Sequence, residues 1–280
     1  MAVTFKELTT AHPCFSTGAK SNKGRVHLPV SPGCNIQCRF CDRQLNDVDI
    51  RPGVASGIIT PKEALQVVRR ALELCPDITV AGVAGPGDTL ATPYALQTFR
   101  LIKQHFPNII KCMSTNGLLL PKYAAEIIEV GIDSLTVTVN AVDPVLLERI
   151  CGGVDPQRLI HNQLSGIKTI ADAGGTVKVN TVLVPEINAA HVAEIAKTVA
   201  AAGARIYNII PLIPQHELAW CSAPDCDIIS ETRQAAQEHL SVFRHCQRCR
   251  ADAAGIPGGA DVSDSLYGRK LRVRDTFSHG

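Results

Sequence analysis

The run Cys34-Asn35-Ile36-Gln37-Cys38-Arg39-Phe40-Cys41 constrains this chain more than any other feature. It is a CxxxCxxC triplet that follows an apolar, strand-like segment, Val26 to Val30. Three thiolates on one short loop can hold three irons of a 4Fe–4S cube and leave the fourth iron open. Zinc sites more often pair CxxC motifs and close with four ligands. A zinc knuckle, or three unrelated buried thiols, is the bland alternative, and it explains neither the spacing nor the position after a strand.

Composition sets the frame around that loop. A chain of 280 residues with no evident linker fits one large α/β domain with a substantial core. A net charge of +2 argues against bulk nucleic-acid or membrane-surface binding, and 4% aromatic residues argue against a stacking platform for single strands. No apolar run approaches the ~20 residues of a membrane span, and Met1 to Leu8 lacks a signal-peptide pattern. A cytoplasmic protein with no nucleic-acid and no membrane partner is expected. Disulfides are rare in that compartment, so clustered members of the eleven cysteines read as metal or redox sites.

Short β-branched runs alternate with helical stretches. The strand candidates are Val26–Val30, Ile78–Val83, Ile109–Ser114, Ser134–Val139, Thr176–Val184 and Arg205–Ile210. Helical patterns cover Tyr94–His105, Pro121–Val130, Pro144–Ile150, Pro156–Ala173 and Ala189–Ala202, and another opens at Pro61 with Thr60 as N-cap. Six βα units in succession predict a parallel sheet with right-handed crossovers. No GxGxxG follows the first strand, so the fold class is read as a partial (βα)6 TIM-type barrel rather than a Rossmann sheet. Active sites of such barrels sit at the C-terminal ends of the strands.

The triplet, with the aromatic Phe40 just before its third Cys, resembles the signature of the radical SAM superfamily. That resemblance implies that Cys34, Cys38 and Cys41 are the catalytic cluster ligands. It also implies that the open iron binds the amino and carboxylate groups of S-adenosyl-L-methionine (SAM), whose sulfonium is cleaved to a 5′-deoxyadenosyl radical. The second strand ends in Ala84-Gly85-Pro86-Gly87-Asp88, which looks like the superfamily's glycine-rich motif for the SAM amino group. Taken alone, it is also an ordinary βα turn. Ser114, Thr115 and Asn116 end the third strand and can hydrogen-bond a ribose or a carboxylate; Asn140, after the fourth, is a candidate donor to SAM. Both stretches also fit turn chemistry. Lys178, Asn180 and Pro211 to Pro214 carry less specific signals.

Further thiols and imidazoles lie outside the triplet. His12-Pro13-Cys14 is near the N-terminus, His27 is on the first strand, and His245-Cys246-Gln247-Arg248-Cys249-Arg250 gives a CxxC flanked by arginines. A CxxC can ligate two corners of a cluster or form a redox disulfide. Neighbouring guanidinium groups favour a thiolate or an anionic cluster. Two thiols need further ligands, and Cys14, Cys112 and His27 are available. On its own Cys112 reads as a small core residue and His27 as a hydrogen-bonded core histidine. Cys75, Cys151, Cys221 and Cys226 match no ligand spacing and are assigned no chemistry.

Together these stretches resemble the NifB family of nitrogenase cofactor maturases. The resemblance rests on His12-Pro13-Cys14-Phe15-Ser16, on His27 through Cys38, on Arg51-Pro52-Gly53 and on Ala84 to Asp88. It continues through Cys112 to Leu118, Thr136 to Pro144 and His245 to Ala253. It covers about residues 12 to 257 and implies three iron–sulfur centres. One, at the triplet, binds SAM. Two more 4Fe–4S clusters are held by Cys14, His27, Cys112, Cys246 and Cys249. The family fuses these two, with a SAM-derived carbide and an added sulfur, into an 8Fe–9S–C precursor. Implied partners are iron–sulfur cluster donors, a cofactor carrier or nitrogenase assembly scaffold, and an electron donor such as ferredoxin. The domain reading is an N-terminal cluster-binding extension at 1–25, the barrel at 26–215 and a C-terminal extension with the CxxC at 216–280. Longer family members continue into a carrier domain, so this is read as the short, stand-alone form.

One stretch departs from the pattern. Asp42 to Ile50 is one residue short and lacks the Cys and Glu that the family usually has there; Asp47 and Asp49 are the nearest counterparts. A carboxylate is a harder ligand than a thiolate and a poor methyl acceptor. Two alternatives therefore stand beside the maturase: a radical SAM enzyme with auxiliary clusters acting on another substrate such as a peptide, and a non-catalytic iron–sulfur scaffold.

Overall fold

The computed structural model describes residues 3–267 and Ser278–His279. Residues 1–2, at the start of the N-terminal extension, and 268–277 and 280, at the end of the C-terminal extension, lie outside the described residues. The β-branched runs form parallel strands β1 (Gly24–His27), β2 (Ile78–Val83), β3 (Ile110–Thr115), β4 (Ser134–Thr138), β5 (Thr176–Leu183), β6 (Ile206–Pro211) and β7 (Val242–Phe243). They stand side by side in chain order, and a short antiparallel β8 (Ala254–Gly255) closes the outer edge of β1. A doubly wound sheet reverses its strand order at the first strand. This one never reverses among its parallel strands, which is the winding of a partial barrel.

Two strands exceed the expected six, and both fall in the segment read as a C-terminal extension. β7 and β8 have two residues each, too few to carry a period-2 pattern. Residues 216–267 are thus partly built into the sheet rather than simply appended to it.

Side-chain caps start several of the helices, among them Thr60, Asp143, Asp155 and Asp225. The longer helices are α1 (Phe5–Ala11), α2 (Thr17–Asn22), α3 (Pro61–Leu74), α4 (Tyr94–His105), α5 (Leu120–Val130), α6 (Pro144–Ile150), α7 (Pro156–Asp172), α8 (Val192–Ala201) and α9 (Cys226–Gln237). In α3, Thr60 and Glu63 form a reciprocal capping box, Pro61 occupies the first turn, and Ala64, Val67, Val68 and Ala71 are buried. No helix among the described residues is long and apolar enough to cross a membrane.

The strands divide their side chains by parity. Met113, Leu135, Val177, Val179 and Tyr207 point outward and form one core with the helices. Burying each such side chain contributes about 1.5–3 kcal/mol. The inward set is different: Gly82, Cys112, Ser114, Thr136, Lys178 and Asn180 line a cavity. The registers make a continuous polar belt of them, with Gly82 beside Cys112, Ser114 beside Thr136, Thr136 beside Lys178, and Asn180 beside Asn208. Strands buried on both faces usually read as unbroken apolar runs. Here the alternation marks an interior kept for a polar occupant. Leu8 and Phe15 of the N-terminal segment pack with Val80, Ile110, Ile206 and Phe243 against the same sheet.

Candidate cluster-binding site

The triplet loop is held on the C-terminal end of the sheet by backbone contacts. The Gly87 N–H donates to the Ser31 carbonyl at 2.7 Å and the Asp88 N–H to the Gly33 carbonyl at 2.8 Å. A Cβ on Gly87 would lie 2.0 Å from the Gly33 oxygen. The glycine is therefore required by the approach of the segment leading into Cys34. Gly87→Ala should displace the triplet loop while leaving the outer core intact. We expect the SAM-responsive electron paramagnetic resonance (EPR) signal to be lost and SAM cleavage to fall at least ~100-fold, with near-native circular dichroism, because a misplacement of about 1 Å can cost that much.

Around the loop, the polar residues brace one another. Asp88 is buried; its carboxylate accepts from the Asn116 N–H at 2.6 Å, the Leu90 N–H at 2.9 Å and the Thr115 hydroxyl at 2.9 Å. Burial raises its pKa, and those hydrogen bonds with the Arg43 charge oppose the rise. Asp88 lines the cavity, yet its acceptor capacity is spent on fixing the end of β3. Asn116 in turn donates to the Asn35 side chain at 2.6 Å and lies 3.9 Å from the Cys34 sulfur. Asn140 accepts from the Val182 N–H at 2.9 Å through its side-chain oxygen. Gly85 is not in the cavity wall, whereas Pro86, Gly87, Ser114, Thr115, Asn116 and Asn140 are.

The second group of predicted ligands converges on the same cavity, about 320 Å³ in volume. Cys14, His27, Cys112, Cys246 and Cys249 all line it together with Cys38 and Cys41. Cys34 is buried behind them. His27 Nδ1 lies 2.9 Å from the Arg250 carbonyl. A carbonyl only accepts, so Nδ1 carries the proton and Nε2 presents its lone pair, the arrangement usual for metal-binding imidazoles. Burial, helped by the Arg25 charge, lowers the His27 pKa to about 4, so the ring is neutral near pH 7.

Three cations accompany the thiols, and two of them, Arg25 and Lys178, are buried. The Arg25 guanidinium donates to the Cys249 sulfur at 3.1 Å and to the Gly255 carbonyl at 2.6 Å. Lys178 Nζ donates to the Cys14 carbonyl at 2.9 Å and lies 4.4 Å from the centroid of the Phe243 ring. Arg43 is hydrogen-bonded to Cys34; burial opposes its charge, but Cys41, Cys34 and Cys38 together raise its pKa. Burial pushes the thiols of Cys14 and Cys41 up to about 11 and that of Cys112 to about 12. Protein alone thus keeps these three neutral, and an electron-poor iron centre is what would draw them into the thiolate form.

Two further observations bear on the occupant. His12 is buried and lines the cavity, and its Nδ1 accepts from the Cys14 N–H at 3.1 Å. Its Nε2 has no partner among the described residues, so the cavity contains an orphaned donor that a cluster sulfide would satisfy. No group of three or more Cys, His, Asp or Glu side chains among the described residues is disposed to share a single metal ion. A cube distributes its ligands over separate irons, so dispersed thiols beside buried cations fit a cluster better than a lone ion.

The stretch that departs from the family pattern does not repair itself through carboxylates. Asp47 is exposed, and Asp49 is 3.2 Å from Arg51. Neither lines the cavity. The cations Arg25, Arg43 and Lys178 and the thiol of Cys151 also line it, and spacing alone assigned none of them to the clusters. Arg43 is placed by its nearness to Cys41 in the chain, whereas strand pairing brings Arg25, Lys178 and Cys151 in from distant segments, which spacing cannot express.

The Radical SAM superfamily model matches residues 28–199. The FeMo cofactor biosynthesis protein NifB of Methanocaldococcus infernus is 42% identical over 97% of this chain and 94% of its own length. Its counterpart from Methanocaldococcus jannaschii is 38% identical over 98% and 95%. Among solved structures, a radical SAM methyltransferase from Sphaerobacter thermophilus aligns with a TM-score of 0.64 at 20% identity, covering 81% of this chain and 67% of that one. SuiB of Streptococcus suis, bound to S-adenosylmethionine, aligns at 0.61 and 12% identity, covering 91% and 54%. The solved structures speak to the fold alone. The near full-length relatives speak to descent, and on that ground the chain belongs to the NifB family of radical SAM enzymes.

Proposed function

We propose that this enzyme fuses two 4Fe–4S substrate clusters into the 8Fe–9S–C precursor of the nitrogenase cofactor, with a SAM methyl group as the carbon source and one added sulfur. The observation that carries the reading is the shared cavity, in which Cys14, His27, Cys112, Cys246 and Cys249 line the same space as Cys38 and Cys41. The names of the archaeal relatives point the same way. A cluster held by Cys34, Cys38 and Cys41 supplies one-electron cleavage of SAM when bound.

The chain's own residues do the rest. Cys14, His27, Cys112, Cys246 and Cys249 hold the substrate clusters with few ligands apiece, which suits units that must fuse and leave. His27 offers a neutral nitrogen that releases iron more readily than a thiolate does. Arg25 and Lys178 neutralise the charge of the substrate clusters, and Arg43 does so at the triplet. In this reading the partners are cluster donors, a cofactor carrier or assembly scaffold, and a ferredoxin-like electron donor, all in the cytoplasm.

The test is iron content and EPR of the anaerobically reconstituted chain, with and without SAM. About twelve irons, with one cluster signal perturbed by SAM, is the expected result. About four irons would reduce the protein to a single-cluster enzyme and end the maturase reading. Activation of cofactor-free nitrogenase by the product then separates this maturase from an enzyme acting on a peptide.

A further inference from the structure

Cys151 stands where sequence spacing offers no reason for a functional thiol. It caps the C-terminal end of α6 and is the antiparallel cross-strand partner of Cys38. Directly opposed residues of an antiparallel pair hold their Cβ atoms about 4.5–5.5 Å apart on one face, which brings the two thiols within reach of each other. Cys151 packs with Cys34, Ile36 and Leu147 in a small apolar cluster beneath the triplet and lines the cavity beside Cys38. Its backbone is pinned on every side. Its own N–H donates to the Leu147 carbonyl, the Arg39 N–H donates to the Ile150 carbonyl at 2.8 Å, and Gln37 pairs with Gly152. That pairing fixes the Cα–Cβ direction of Cys151 toward Cys38.

We propose that Cys151 donates its S–H to the Cys38 sulfur when Cys38 is a cluster ligand, and thereby raises the reduction potential of the SAM-binding cluster. It is a positioning residue, because it touches a ligand and not SAM. The physical basis is general: hydrogen bonds to cluster sulfurs help set the potential. A donor withdraws electron density from the thiolate and favours the reduced, more negative cluster. The apolar side chains of Leu147 and Ile36 lower the local dielectric, which strengthens the effect. The other acceptor within reach of Cys151 is the Gly152 carbonyl at 3.5 Å. The Arg43 charge bears on all three triplet thiols, so the neutral donor at Cys38 acts on top of a shared positive field. The inference rests on membership of the radical SAM family and not on the identity of the substrate.

Cys151→Ala and Cys151→Ser separate this role from mere space filling. The full-length chain, anaerobically reconstituted, is titrated with reductant and the SAM-responsive EPR signal is followed. Removing the donor in Cys151→Ala should lower the midpoint so that the reduced-to-oxidised ratio at fixed potential falls about tenfold, which is about 59 mV for one electron. Cys151→Ser keeps a donor and should hold the wild-type midpoint or exceed it. Equal midpoints in all three proteins would overturn the proposal, as would equal displacement in both variants, which is the mark of a packing defect. If Cys151→Ala fails to hold the cluster, the serine variant decides: a midpoint below wild type refutes the proposal. A wild-type chain with no SAM-responsive signal would instead remove the cluster on which the inference depends, a failure that shows before any variant is compared.

Discussion

Replacing Cys38 with alanine should reduce SAM cleavage to background while most of the auxiliary iron stays bound. Cys38 is one of three candidate ligands for the SAM cluster, and an iron without its thiolate leaves the cube. The other candidates come from different elements: Cys14 lies between α1 and α2, His27 ends β1, Cys112 is on β3, and Cys246 and Cys249 lie between β7 and β8. None of these elements depends on the Cys38 side chain. Chain-bound iron should therefore fall by roughly four of about twelve, measured by iron analysis beside a 5′-deoxyadenosine assay. Loss of all iron would mean that the ligands are shared differently. Retention of SAM cleavage would remove Cys38 from the catalytic cluster altogether.

The contrast between Cys38 and Cys151 explains what could be read in advance. Cys34, Cys38 and Cys41 lie within eight consecutive residues, so covalent geometry alone brings their thiols together. Spacing then carries the chemistry. Cys151 reaches Cys38 through a two-residue antiparallel pairing between distant segments, and no local pattern encodes that. The main strands and helices were legible for a similar reason. Thr60-Pro61 with Glu63 caps α3 locally, and the β-branched runs of β2 to β6 are five residues or longer. The two-residue β7 and β8 were invisible, and with them the route that returns Cys246 and Cys249 to β1. The resemblance to a family supplied that grouping; composition and periodicity did not. Gly87 was readable as a strand-end glycine, but its reason, the backbone of Gly33, is a tertiary contact.

Arg250→Ala should be among the most damaging single changes to the fold, because one side chain joins the post-triplet loop to the CxxC segment. Its guanidinium donates to the carbonyls of Asp49 at 2.5 Å and Asn46 at 2.8 Å, and to the Ser56 hydroxyl at 3.2 Å. It also grips both oxygens of Asp252, at 2.8 and 3.0 Å. The Asp252 side chain is only 3% exposed. Truncating Arg250 leaves that carboxylate with the Ser56 N–H at 2.6 Å but without its counter-charge. Breaking one side of a buried pair typically costs about 3–5 kcal/mol. In a protein of this size that is roughly 10 °C in melting temperature. Arg250→Lys should recover only part of the loss, since an ammonium cannot reproduce the planar fork. Adding Asp252→Asn to Arg250→Ala should recover part as well, by removing the stranded charge. Thermal unfolding of the four proteins without bound iron measures the purely structural share. Iron analysis of the same set measures the rest, because the Arg250 carbonyl also fixes the His27 ring and Arg250 lies next to Cys249. Unchanged melting in Arg250→Ala would mean that the loop from Asn46 to Ser56 is held by other contacts, and the account of how that loop keeps its place without the family's cysteine would have to be abandoned.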